Sequence, residues 1–182
     1  MNEIEVKAHL KNKEIIMQNL RDKGCVFEDA IVQNDTVFTQ KIGSFEIYDT
    51  NEIFLRIRIK NNSKIIFTAK KTLHTGLDCL EYETEISSYK QMYDALIIMG
   101  YKEALRINKT RIITHYNGCE ICIDEVEDLG SFIEMEKLCE EGDSKKIQEE
   151  LFGFLQSVGV SKDDRVFNGY DDLLLLKKEK SI

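Results

Sequence analysis

Segment after segment of this chain alternates apolar and charged residues with a period of two, and the charged positions carry both signs. That pattern constrains the fold strongly, because side chains two residues apart on a strand share one face of a sheet. On one parity stand Glu3, Glu5 and Lys7; Arg56 and Arg58; Thr68 and Lys70; Glu81, Glu83 and Glu85; Lys109 and Arg111; Asp124, alone on its face; and Glu134 with Glu136. On the other stand Ile4 and Val6; Leu55, Ile57 and Ile59; Ile65 and Phe67; Ile121 and Ile123; and Ile133 with Met135. For any single strand the simpler reading is an apolar face buried and a charged face in water. Many strands carrying mixed charges, with helices enough to cover the apolar faces, point instead to a closed barrel with a polar lumen.

The turn and cap signals divide the chain into strands and a few helices. Asn12 is placed to cap a helix over residues 13–23 that Gly24 ends. Strands are expected at 25–32, 35–39, 46–48, 53–60 and 64–71, with Asn61-Asn62 turning the last pair and a loop at 72–78. A strictly alternating strand from Cys79 leads to Ser87 or Ser88, either of which caps a helix that Gly100 ends. Strands at 103–116 and 120–127 flank Asn117-Gly118, a tight-turn dipeptide, and another covers 131–137. Ser144 is expected to cap a last long helix to about Gln156, and Gly169-Tyr-Asp-Asp-Leu opens a short docking helix. With no proline and no low-complexity linker, residues 1–182 read as one domain. Strands outside any regular βαβ alternation make it an antiparallel α+β fold.

The net charge of −8 argues against broad binding to nucleic acid or a membrane surface, since both use a positive field. An anionic ligand must therefore find a local basic pocket or a bound metal. The longest apolar run, Leu173 to Leu176, is too short to cross a bilayer, and the first residues lack the basic flank and apolar stretch of a secretion signal. A cytoplasmic location is expected. Five cysteines, an odd number, fit free thiols in a reducing compartment. Cys119 and Cys122 face opposite sides of a strand and have no second pair at ligand spacing, so structural zinc is not expected.

The chemistry that needs both signs in one cavity is polyphosphate binding with metal help. Arginine forks and lysine point charges bind phosphate oxygens, while carboxylates hold hard cations such as Mg²⁺ or Mn²⁺. His9 shares the parity of Lys7 but reads as a polar neighbour. His115 continues the face of Lys109 and Arg111 and is a minor candidate for a ligand or proton carrier.

At these residues the sequence resembles the CYTH, or triphosphate-tunnel, enzymes, which include class IV adenylate cyclases, thiamine triphosphatases and tripolyphosphatases. The resemblance begins at Glu3-Ile-Glu-Val-Lys7 and continues in order through Asp35-Thr-Val-Phe38, Leu55-Arg-Ile-Arg58, Thr68-Ala-Lys70, Glu81-Tyr-Glu-Thr-Glu85, Lys109-Thr-Arg111, the run from Asp124 to Glu136, and Gly169-Tyr-Asp-Asp-Leu. It implies an eight-stranded antiparallel tunnel with helices packed outside. By matching position it implies Lys7, Arg56, Arg58, Lys70, Lys109 and Arg111 as phosphate ligands. Glu3, Glu5, Asp124, Glu134 and Glu136 are implied as ligands to Mg²⁺ or Mn²⁺, directly or through water, with Glu81, Glu83 and Glu85 less defined. Turnover is expected to depend on Glu5, Lys7, Arg58 and Lys109, with Glu5→Gln or Arg58→Ala abolishing it at little cost in stability.

The chain looks most like the class IV cyclase branch, which implies ATP as substrate and cyclic AMP and pyrophosphate as products. Inorganic tripolyphosphatase or thiamine triphosphatase activity is the alternative, and a non-catalytic nucleotide or polyphosphate sensor is the third reading. A homodimer is suggested by the resemblance alone.

Overall fold

In a computed structural model of the chain, residues 2–40, 53–72, 77–139 and 143–179 are described. The strand expected at 46–48 lies outside these residues, as do His74 and most of the loop expected at 72–78. Among them the strands are β1 (Asn2–His9), β2 (Ile31–Thr39), β3 (Ile53–Lys60), β4 (Lys64–Thr72), β5 (Asp78–Glu85), β6 (Lys102–Tyr116), β7 (Cys119–Val126), β8 (Gly130–Cys139) and β9 (Arg165–Val166). The helices are α1 (Lys13–Asp22), α2 (Tyr89–Ile98), α3 (Ser144–Ser157) and α4 (Tyr170–Glu179).

The strands follow the order β5-β4-β3-β2-β6-β7-β8-β1-β9, and a further β5–β1 pairing closes β1 to β8 into an eight-stranded antiparallel barrel. Closure leaves β1 with three partners. Its first residues, Asn2 to Ile4, face β5, while Lys7 and Ala8 pair with the short β9. The hairpin turns form where consecutive residues tolerate a left-handed backbone: Asn61 and Asn62 at φ 49° and 56°, and Asn117 and Gly118 at φ 48° and 76°.

The apolar parity faces outward and is covered by helices. Val6, Ala8, Ile121, Ile123, Ile133 and Met135 pack against Ile16 and Leu20 of α1 and Leu151, Phe152 and Leu155 of α3. On the other side Phe38, Leu55 and Ile57 meet Leu96 of α2. The inward parity changes character along each strand. Val37, Leu105, Ile107, Val126 and Phe132 fill one end of the lumen with apolar side chains, against which Val166, Tyr170 and Leu174 are packed. Charged residues occupy the remainder.

Several expectations need correction. Residues 25–30 are irregular, and β2 runs from Ile31 through Gln33 and Asn34 without the expected break, because Gln33 is buried and Asn34 donates to Asn108 Oδ1 at 3.0 Å. Asn12 occupies the position before α1 but its side chain makes no capping bond; its carbonyl accepts from Ile16 N at 3.1 Å. Asp143, and not Ser144, caps α3, accepting from Lys146 N at 3.2 Å. Ser88 caps α2 through Gln91 N at 3.3 Å. The two-residue β9 is too short to show a period in the sequence. No helix among the described residues is long and apolar enough to cross a membrane.

Candidate functional site

The charged part of the lumen is a cavity of about 490 Å³, lined by Glu3, Glu5, Lys7, Arg56, Arg58, Lys70, Lys109, Arg111, Glu134 and Glu136 among others. Every cation proposed from the sequence, and each carboxylate proposed as a cation ligand except Asp124, therefore reaches one space. Asp124 is fully buried just behind it. Strand register explains the pairings, since residues directly opposite one another hold side chains of opposite charge together. Asp35 faces Arg58, Arg111 faces Asp124, Lys7 faces Glu134 and Lys70 faces Glu81.

Asp124 is the most heavily bonded group in the cavity wall. It accepts from Lys109 Nζ at 2.9 Å, from Arg111 Nε at 2.7 Å and Nη2 at 2.5 Å, and from the Tyr170 hydroxyl at 3.0 Å. Burial opposes its charge, but Lys109 and Arg111 outweigh burial and hold the carboxyl below its usual range. Arg111 also reaches Glu134, which lies 3.1 Å from Lys7 Nζ. Glu134 is likewise held well below the ordinary value despite burial, by Lys7 and then Arg111. Burial and the neighbouring Arg111 together lower Lys109.

A second buried pair joins Arg58 to Asp35 in a two-pronged contact, Nε to Oδ1 and Nη2 to Oδ2, both 2.7 Å. Arg56 bonds Thr68, Glu81 and Glu83 at 3.2, 3.2 and 3.1 Å. Lys70 binds Glu3 at 2.8 Å and Glu81 at 2.9 Å. Against burial, Lys70 and Arg56 hold Glu81 at about 2.

A different environment surrounds Glu136. It stands directly opposite Glu5 on one side and Glu120 on the other, and like charges at such positions repel. Burial first, then Glu3, Glu120 and Glu5, push its carboxyl up to about 8. Glu5 is also raised, by burial and then by Glu134, against the pull of Lys7. Its Oε1 is buried and, though 3.1 Å from Lys7 Nζ, accepts no well-directed hydrogen bond. Carboxylates set directly opposite one another, as Glu136 is to Glu5 and Glu120, offer oxygen donors that suit a hard divalent cation. Among the described residues no three carboxylates converge tightly enough to hold a metal unaided. The carboxylate oxygens of Glu3, Glu5 and Glu136 on the lining are the donors that could take part in holding such a cation.

Some sequence expectations fall outside the cavity. Glu85 pairs with Lys64 at 3.3 Å, both side chains largely in solvent. His115 is 59% exposed at its side chain, 3.6 Å from Glu120, and does not line the cavity. His9 lies tilted against Phe132, with ring centroids 4.6 Å apart. Sequence reasoning also missed lining residues. Glu120 has the parity of Asp124, so Asp124 is not alone on its face as expected, and Gln33 and Asp35 share a parity on β2. Tyr170, Asp171 and Asp172 come from α4, which no strand parity identifies.

A family model for the CYTH domain matches residues 1–170. A Methanocaldococcus jannaschii protein, provisionally named an adenylate cyclase, is 30% identical over 175 residues, spanning 95% of this chain and 98% of its own. A solved Pyrococcus horikoshii protein superposes with a TM-score of 0.81 at 30% identity, over 96% of this chain and 99% of that one. A Hippeastrum protein, a candidate adenylyl cyclase described as having a dominant triphosphatase activity, shares the fold at a TM-score of 0.62 and 15% identity, over 98% of this chain and 95% of its own. The ordered charge motifs, the barrel they line and the whole-length match agree, and the chain belongs to the CYTH domain family.

Proposed function

We propose that this chain, acting as one unit over residues 1–182, is a Mg²⁺- or Mn²⁺-dependent enzyme that cyclises ATP to cyclic AMP and pyrophosphate. The observation that carries a triphosphate substrate is the convergence of Lys7, Arg56, Arg58, Lys70, Lys109 and Arg111 on one cavity about 490 Å³ in volume. An anionic chain of phosphates would bind the N–H groups these cations turn to the cavity, beside the carboxylates that anchor them. The name of the Methanocaldococcus relative supports the cyclase reading. So do Phe54 and Phe167 on the lining, aromatic surface suited to an organic group.

Glu3, Glu5, Asp124, Glu134 and Glu136 are the proposed holders of the cation, with Glu3, Glu5 and Glu136 best placed because, unlike Asp124 and Glu134, they accept no hydrogen bond from Arg111. A bound divalent cation supplies neutralisation of charge at the phosphate oxygens. The chain's own groups do the rest. The cations orient the triphosphate so that the ribose 3′-hydroxyl faces the α-phosphorus in line with the departing pyrophosphate, whose charge they stabilise. Glu5, its carboxyl raised by burial, is the candidate to accept the hydroxyl proton where it does not itself hold the cation. The same lumen supports a second reading, hydrolysis of a triphosphate by a water aimed at the terminal phosphorus, which the activity of the Hippeastrum relative favours.

Purified protein given ATP, tripolyphosphate or thiamine triphosphate with each metal separates the readings. Cyclic AMP without orthophosphate is expected; orthophosphate alone would replace the cyclase with a triphosphatase. Binding without any product would make the protein a sensor.

A further inference from the structure

Lys7 is enclosed by the C-terminal part of the chain. Its backbone pairs with Val166 of β9, and its ammonium donates to the Asn168 carbonyl at 3.4 Å. The same ammonium lies 4.2 Å from the centroid of the Tyr170 ring, and Lys109 Nζ lies 4.8 Å from that same centroid. The Tyr170 hydroxyl meanwhile donates to Asp124, the carboxylate that anchors Lys109 and Arg111. The ring is itself fixed, buried and edge-on to Phe132 with centroids 5.0 Å apart.

A long, flexible lysine placed in a cavity with several carboxylates has many partners to choose from. Lys7 keeps ion pairs with Glu5 and Glu134, and Lys109 with Asp124; the aromatic face adds a further restraint on both ammonium groups through its quadrupole, one that a phosphate need not break. We infer that Tyr170 is a positioning residue that sets Lys7 and Lys109 toward the triphosphate, so that the cation set is complete only when the C-terminal segment is docked on the barrel. The inference rests on the triphosphate reading of the cavity.

The test is calorimetric titration of the full chain with inorganic tripolyphosphate, which has no organic end to confuse the result. Wild-type protein is expected to bind. Tyr170→Leu should weaken binding roughly tenfold through loss of the two ring contacts in a desolvated setting. Tyr170→Phe, which keeps the ring and loses only the hydroxyl, should restore most of it. Should Tyr170→Leu fail to fold, Tyr170→Met fills similar space without a π face and takes its place, with thermal midpoints compared throughout. A merely structural tyrosine would shift those midpoints and leave binding by the folded variant unchanged, which overturns the inference. Equal weakening in Tyr170→Phe and Tyr170→Leu also overturns it, because the hydroxyl would then be the anchor. Absence of binding by the wild type removes the triphosphate reading and this inference with it.

Discussion

Asp124 and Glu136 sit on neighbouring strands of one barrel, Glu136 lining the cavity and Asp124 buried just behind it, and their surroundings are opposite in kind. Asp124 is saturated by two cations and a phenol, which hold its charge in place. Glu136 has carboxylates on both flanks and is pushed up to about 8. The first corner is complete as it stands and fixes lysine and arginine heads before any ligand arrives. The second is electrostatically unrelieved, and relief by a cation is the property expected of a metal-dependent site.

That contrast gives variants a predicted order of effect. Asp124→Asn should be the most damaging, about 3–5 kcal/mol of stability in chemical denaturation, because it leaves Lys109 and Arg111 buried with too little opposite charge. A loss below about 1 kcal/mol would mean the corner is not an anchor. Arg58→Ala should fall in the same range by stranding buried Asp35, so the expectation that this variant leaves stability intact gives way to the two-pronged contact seen at 2.7 Å.

Next in size is the response to metal. Mg²⁺ or Mn²⁺ at about a hundred times its dissociation constant should stabilise the protein by about 2.7 kcal/mol, and Glu5→Gln should remove most of that gain in a thermal-shift titration. An undiminished gain would place the cation elsewhere.

Smaller again is the pH effect at Glu136. The folded value near 8 exceeds that of the unfolded chain, so between the two the folded protein retains a proton the unfolded chain has released. Wild-type stability therefore declines as pH rises through this window. Glu136→Gln lacks that decline and should be more stable than wild type by about 1–2 kcal/mol at pH 8.5, with little difference at pH 5, in the metal-free protein. The reverse trend would show that Glu136 is already paired. Smallest of all, Lys90→Ala breaks a solvent-exposed pair with Asp94 and should leave the denaturation midpoint unchanged.

The sequence by itself determined the barrel and most of its lumen. Strand parity is a local property, so it alone assigns Glu3, Glu5, Lys7, Arg56, Arg58, Lys109 and Arg111 to the inward faces of their strands. Applied fully, the same rule would have added Gln33, Asp35 and Glu120. Only the tertiary structure decided which charge meets which. Cross-strand register placed Asp35 against Arg58 and Glu136 between two other glutamates, and no single strand carries that information. Tyr170 illustrates the limit most clearly: its place beneath Lys7 and Lys109 depends on a contact between the two ends of the chain, made by docking β9 and α4 on the barrel, and side-chain period says nothing about contacts at such separation.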